Sequence, residues 1–241
     1  MTLSEHLREL RKRLIICIVA FVVAATFATF AYQPILSFLL HPLCQVDTSK
    51  SLGLSQSHSC RLYVTSPLDG LSLRVKIALF GGFFLSSPIW FFEAWRFITP
   101  GMRASEKRYA IPFVTATFAL FLLGCLTAYI TLPHALGFLS AVGGPELTQI
   151  YDPIPYLGLI ILMMVLFGLT FEFPVVLVSL QLARIVSSRQ LLRAWRWAVI
   201  GITFCAAVFT PSSDPFSMLA LAIPLVVFYF MSIVVGKLLG R

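Results

Sequence analysis

The chain has 241 residues, of which 59% are hydrophobic and only 12% charged, and its mean hydropathy is +0.91. Soluble domains carry about 25% charged residues, so one soluble domain could not bury this much apolar surface, and we expect a polytopic membrane protein. The net charge of +8 would suggest nucleic-acid binding in a soluble protein. Here the basic residues flank apolar runs, so we interpret them as residues that orient the chain in the bilayer, and we expect no nucleic-acid partner.

The chain begins with a short charged segment, Thr2 to Leu14, and an apolar run follows it directly. The leucines of the segment recur at helical spacing and share one face of a helix. The apolar run is too long for a cleaved signal peptide, and no small-residue cleavage site follows it, so we interpret it as a retained first span. No transit peptide precedes it, which favours a bacterial protein.

Six apolar runs predict an all-α integral membrane protein with six transmembrane helices, forming a single membrane domain over residues 1–241. Most are long enough for a hydrocarbon core of about 30 Å. The fifth reaches only about 20 Å, so it must thin the bilayer locally or lie behind its neighbours. The predicted spans are Leu14–Tyr32, Leu71–Ile98, Tyr109–Pro133, Pro155–Leu182, Trp197–Phe209 and Phe216–Val235.

Prolines recur within or at the ends of these spans, where each removes a backbone donor and tends to kink or end a helix. We therefore expect several kinked helices, which form a concave bundle that encloses a wet surface. These prolines are Pro88, Pro112, Pro133, Pro174 and Pro224.

The distribution of basic residues predicts the topology. Of the 18 Lys and Arg residues, 14 fall in the N-terminal segment, the second and fourth connections and the C-terminal tail. The other 4 fall in the first outer connection and at the start of the second span. Positive residues remain on the cytoplasmic side, so both termini are predicted to face the cytoplasm.

The first outer loop contains two cysteines, Cys44 and Cys60, on the predicted oxidising side. A disulfide between them would stabilise the loop by about 3 kcal/mol; the alternative is two unrelated thiols. Cys17, Cys125 and Cys205 lie within spans, where cysteine is most often a packing residue.

Enzyme signatures are absent from the sequence. Its histidines have no metal-ligand spacing, and no nucleophile-elbow, zinc-protease, Walker or cofactor motif occurs. We therefore expect neither an enzyme nor a cofactor or metal, and attention turns to acidic residues in unusual places.

Glu172 lies within the predicted fourth span, in the run F-G-L-T-F-E-F-P. A carboxyl at bilayer depth costs at least about 2.5–3.5 kcal/mol, so it must face a cavity or a partner, or be protonated. It either provides a polar contact for a bound segment or subunit, or makes a structural hydrogen bond to a neighbouring helix.

Three other acids have ordinary explanations as well as functional ones. Glu9 can pair with Arg13 one helical turn later. Glu106 follows the Pro100–Gly101 turn and either interacts with a helix dipole or receives a cationic ligand. Asp214 lies in a tight outer turn, where its carboxylate can cap the sixth span.

Four motifs of the sequence are similar to those of a known protein family: H-L-R-E-L-R-K-R-L, S-P-I-W-F-F-E-A-W-R-F-I-T-P-G-M, F-G-L-T-F-E-F-P and T-P-S-S-D-P-F-S-M-L. In order and across all six spans, the sequence resembles the TatC family, the multispanning receptor subunit of the twin-arginine protein translocase. That family binds signal peptides with two adjacent arginines on folded cargo.

The resemblance implies roles for several residues. Glu9 and Glu106 are expected to bind the two signal-peptide arginines on the cytoplasmic face, with Phe97 packing on the peptide. Since a guanidinium offers carboxylates a planar fork of donors, lysine would be a poor substitute. Glu172 is expected to contact the inserted peptide or a partner, and Pro42 and Asp214 match functional positions of the outer face.

The resemblance also implies partners and a location. We expect TatA/TatB-type single-span subunits, the lipid bilayer and further copies of the chain in the receptor complex. The location is the bacterial cytoplasmic membrane, and the proton-motive force supplies the energy. The rival functions are a proton-coupled small-solute transporter that uses Glu172, which lacks repeated broken-helix halves here, and an intramembrane enzyme, which lacks catalytic residues.

Overall fold

The computed structural model describes residues 3–47, 66–98, 110–142, 152–182, 184–211 and 214–238. These residues form helices and turns, and no strand occurs among them. In chain order the helices are α1 (Leu3–Phe30), α2 (Tyr32–Asp47), α3 (Asp69–Ile98), α4 (Ala110–Val142), α5 (Pro153–Thr170), α6 (Phe173–Leu182), α7 (Ser188–Arg193), α8 (Trp195–Phe209) and α9 (Pro215–Leu238).

Among the described residues, five segments are long and apolar enough to cross a membrane. Helix α8 is apolar but has only 15 residues, as expected for the short fifth span. The five longer segments are Leu7–Phe30, Asp69–Arg96, Phe113–Leu139, Pro153–Leu182 and Pro215–Leu238.

Prolines affect these helices in two ways. Pro88, Pro133 and Pro224 lie inside α3, α4 and α9, which continue through them; the third predicted span therefore extends nine residues beyond Pro133, to Val142. Pro174 instead follows a break. It lacks the N–H group that would bond to the carbonyl of Thr170, and α5 ends at Thr170.

The contacts divide the chain into two compact units, of which one comprises the described parts of Met1–Phe38 and Ser66–Ala119. In this unit α1 packs closely on α3 through small residues. A Cβ atom on Gly81 would lie 2.6 Å from Cβ of Ala28, and one on Gly82 would lie 2.8 Å from Cα of Ala25. The absence of these side chains lets the two backbones approach, a common device between membrane helices.

The other unit comprises the described parts of Leu39–Thr65 and Leu120–Arg241. Its α4 and α5 cross closely, because a Cβ on Gly124 would lie 2.6 Å from the carbonyl oxygen of Phe167. Helices α6, α7 and α9 meet around the buried Gln181, whose amide nitrogen donates to the Ser232 carbonyl at 3.1 Å and whose oxygen accepts from Ser188 at 2.8 Å. Buried polar groups are stable here because each has a partner.

Candidate functional site

A cluster of four charged residues joins α1 to α3 in the first unit. Arg13 pairs with Glu9 through Nη2, while its Nη1 lies 3.6 Å from Glu93 Oε2 and donates to the Glu93 backbone carbonyl at 3.3 Å. Arg96 Nη1 lies 3.5 Å from the other carboxylate oxygen of Glu93. One guanidinium of this chain is therefore held between two carboxylates.

The members of the cluster differ in exposure. The side chains of Arg13 and Glu93 are 12% and 9% exposed, whereas that of Glu9 is 29% exposed. A ligand can therefore reach Glu9 more readily than its two neighbours. Burial strengthens the attraction between charges because the surroundings are less polarisable than water.

The pairing of Glu9 with Arg13 confirms the expectation from their spacing of one helical turn. Glu93 was not predicted, although a signal existed: it is an acid within an apolar helix and lies three residues before Arg96. What the spacing could not reveal is that α1 brings Arg13 against it.

Phe97 and Glu106 are the two other residues predicted for the same site. Phe97 belongs to the backbone of α3, but its side chain lies outside the described residues, as does Glu106. Their grouping with Glu9 therefore stays a prediction.

Glu172 lies in the second unit, at the break between α5 and α6. Its Oε1 atom is buried, and its carboxylate has no hydrogen-bond donor among the residues that the structure describes. The structural hydrogen bond to a neighbouring helix, one of the two sequence-based interpretations, is not formed by these residues. Glu172 as a whole is half-buried, but its buried oxygen needs a partner, because leaving a buried polar atom unpaired costs free energy.

Glu172 also lines a cavity of about 660 Å³. The walls are largely apolar and include Phe173 of α6, Gly201 and Cys205 of α8, and Leu225 of α9. A Cβ atom on Gly201 would meet nothing within 4 Å, and Cys205 is exposed. The cavity thus combines largely apolar walls with one half-buried acid, which suits an apolar segment with one polar group.

Asp214 and Pro42 are the two residues predicted to function on the outer face. Asp214 is buried and caps α9, since its Oδ2 atom accepts from the backbone N–H of Ser217 at 2.6 Å. Pro215 follows at the first helical position, where its missing N–H costs nothing. Pro42 is buried inside α2. The capping interpretation of Asp214 is therefore confirmed, while a direct functional role of either residue stays a prediction.

The cysteines fall into two groups. Cys17, Cys125 and Cys205 are free thiols, and buried Cys125 donates to the Met164 carbonyl at 3.3 Å. Cys60 and the side chain of Cys44 lie outside the described residues, so the predicted disulfide between them stays a prediction.

Comparison with known proteins identifies the family. A sequence model described as Sec-independent protein translocase protein (TatC) matches residues 5–224. The TatC protein of Frankia casuarinae is 41% identical over 246 residues, which cover 100% of this chain and 67% of that protein. The TatC protein of Aquifex aeolicus is 35% identical over 244 residues, covering 100% of this chain and 97% of that protein.

A solved structure agrees with these relatives. The crystal structure of a twin-arginine translocase receptor, TatC, superposes with a TM-score of 0.75 at 34% identity, and the match covers 98% of this chain and 100% of that chain. Five apolar segments long enough to span a membrane, together with this structural match, define a multispanning membrane component of a protein translocase. The chain belongs to the TatC family.

Membership of the TatC family confirms the predictions of fold class and of a non-enzymatic translocase component. The protein is an all-α integral membrane protein whose five long apolar helices and one shorter helix match the six-helix TatC fold. It is a component of a protein-translocation complex and not an enzyme.

Proposed function

We propose that this protein is the signal-peptide receptor of a twin-arginine translocase, which exports folded proteins across the bacterial cytoplasmic membrane. Glu9 and Glu106 bind the two arginines of the signal peptide on the cytoplasmic face, and Phe97 packs against the peptide. The receptor acts as one six-span membrane domain, with both termini in the cytoplasm.

One observation carries this proposal: Glu9 already binds a guanidinium, that of Arg13. The charge and geometry at this carboxylate therefore suit the group by which a twin-arginine peptide is recognised. Its exposure of 29% leaves room for approach from the surface. Removing one partner of a desolvated charge pair costs about 2–5 kcal/mol, so two such pairs would give substantial affinity.

Glu172 supports the second part of the proposal, in which the inserted signal peptide or a TatA/TatB-type subunit docks in the membrane. Its carboxylate faces a cavity of about 660 Å³ and lacks a described donor. A helix that brings one polar side chain into this cavity would satisfy the acid. Interhelical hydrogen bonds of this kind contribute about 0.6–2 kcal/mol in membranes.

The remaining parts of the proposal concern assembly and energy. Several copies of the receptor, together with single-span subunits, form the translocation site, and the proton-motive force drives transport. The basic residues that flank the apolar helices support the cytoplasmic position of both termini. A proton-coupled solute transporter is not favoured, because membership of a protein-translocase family points to a protein cargo.

Peptide binding to the full-length protein in lipid nanodiscs tests the site. The probe is a labelled synthetic peptide with two adjacent arginines before about 12 apolar residues, and fluorescence anisotropy gives the dissociation constant. We expect Glu9→Gln and Glu106→Gln each to weaken binding by at least about tenfold, since each removes one carboxylate partner.

Two controls accompany this measurement. A peptide with two lysines in place of the arginines should bind weakly to the unaltered protein, because lysine lacks the planar fork. Glu5→Gln makes the same change in charge one turn earlier in α1 and should leave the affinity within about twofold. Normal binding by both Glu9→Gln and Glu106→Gln would refute the assignment of the site.

A further inference from the structure

We propose that Glu93 is a positioning residue for arginine recognition: it neutralises Arg13 and thereby leaves the negative charge of Glu9 available to a guest guanidinium. This inference rests on the proposed function of Glu9. The guest is the arginine-bearing peptide, and Glu93 acts on it through Arg13 without touching it.

The first step of the argument is the sharing of Arg13. Its Nη2 atom pairs with Glu9, and its Nη1 atom faces Glu93, 3.6 Å from the carboxylate and 3.3 Å from the backbone carbonyl. These contacts direct different nitrogens of one planar group to different acids, so both can be satisfied together. Lysine could not replace Arg13 here, because its single nitrogen does not present this fork.

The second step concerns charge. Without Glu93, Glu9 and Arg13 would form a neutral pair, and an incoming guanidinium would be repelled by Arg13 almost as strongly as it is attracted by Glu9. The carboxylate of Glu93 adds one negative charge on the far side of Arg13. Glu9, Arg13 and Glu93 together carry one net negative charge, which matches one guest guanidinium; the fourth member of the cluster, Arg96, adds a positive charge that solvent screens, as its side chain is 58% exposed.

The third step is burial, which determines how strongly solvent screens each ion pair of the cluster. The side chain of Glu93 is 9% exposed and that of Arg13 is 12% exposed, so solvent screens their interaction poorly. Arg96 also approaches Glu93, at 3.5 Å, but its side chain is 58% exposed. Arg96 Nη1 donates a hydrogen bond to Glu93 at that distance, but solvent weakens exposed pairs, so we expect the charge of Glu93 to act mainly on Arg13.

A double-mutant cycle tests the inference by the same anisotropy assay, with full-length protein in nanodiscs and the two-arginine peptide as probe. The four proteins are the unaltered chain, Glu93→Gln, Arg13→Gln and the double variant. We expect Glu93→Gln alone to weaken binding by about fivefold, which corresponds to about 1 kcal/mol. In the Arg13→Gln background the same change should have less than about a twofold effect, because the positive charge that it neutralises has gone.

An equal loss from Glu93→Gln in both backgrounds would overturn the inference, since Glu93 would then act on the peptide or on the fold directly. Unchanged binding by Glu93→Gln alone would overturn it too. Thermal unfolding verifies that each variant is folded. Arg13→Met, which keeps an apolar stem of similar length, replaces Arg13→Gln in the cycle if the latter does not fold.

Two further variants complete the design. Lys12 is adjacent to Arg13, exposed, and without an ion pair to any described acid, so Lys12→Gln controls for loss of a positive charge and should leave the Glu93→Gln effect intact. Glu9→Gln separates the two proposals. If it abolishes binding while Glu93→Gln does not weaken it, only the role of Glu93 fails; if Glu9→Gln binds normally, the proposed receptor site itself fails.

Discussion

Asp214 has an observed structural role, the capping of α9, and a predicted functional role on the outer face. Its carboxylate accepts the Ser217 N–H at 2.6 Å and begins α9. We expect Asp214→Ala to lower the free energy of unfolding by about 1 kcal/mol, because it removes the cap. Asp214→Asn keeps an acceptor and should remain within about 0.5 kcal/mol of the unaltered protein.

Thermal unfolding in detergent measures both stabilities, and export of a folded reporter in cells measures function. Stability of Asp214→Ala equal to that of the unaltered protein would contradict the capping role. Loss of export by the stable Asp214→Asn would show that the outer face needs the negative charge itself.

For individual residues, the sequence predicted contacts within one helix better than contacts between helices. Glu9 and Arg13 are one turn apart, so helical periodicity alone pairs them. Glu93 joins them only because α1 and α3 pack closely through Gly81 and Gly82. No local sequence pattern encodes how α1 and α3 align, which is why Glu93 was not predicted.

Among the elements, the crossing of α4 and α5 gives a sharp test of close packing. A Cβ atom on Gly124 would lie 2.6 Å from the Phe167 carbonyl oxygen and 2.9 Å from Cα of Gly168. These are backbone atoms and cannot rotate aside, so Gly124→Ala must separate the helices, at a cost of about 1–3 kcal/mol. We expect it to lower the midpoint of thermal unfolding.

Gly137 provides the matched control in the same helix. A Cβ atom there would meet nothing within 4 Å, and alanine favours a helix over glycine by about 0.5–1 kcal/mol. Gly137→Ala should therefore leave the midpoint unchanged or raise it. If both substitutions shift the midpoint in the same direction, close approach of the backbones does not explain Gly124.

The elements also show where hydropathy stops being informative. Apolar runs located the spans because each must bury about the same thickness of bilayer. They did not separate α5 from α6, since the residues on both sides of the break are equally apolar. Pro174 was recognised as a helix breaker, but hydropathy could not distinguish it from Pro133, around which α4 continues. The break matters because it contains Glu172.

For the whole molecule, the important dimension is the length of α8 compared with the thickness of the bilayer. Its 15 residues span about 22 Å, which is less than the hydrocarbon core of about 30 Å. Cys205 and Gly201 of α8 line the cavity that contains Glu172. A thinned bilayer next to this cavity would lower the barrier to a folded cargo, so the shortness of α8 is predicted to be needed for transport.

Insertion of about seven apolar residues after Phe209, two helical turns, tests this by lengthening α8. We expect the inserted protein to bind the two-arginine peptide normally but to lose export of a folded reporter, because the bilayer no longer needs to thin. The same number of glycine and serine residues adds chain without apolar length and should preserve export. Normal export with the apolar insertion would exclude thinning at α8, and loss of export with both insertions would attribute the effect to the spacing between α8 and α9.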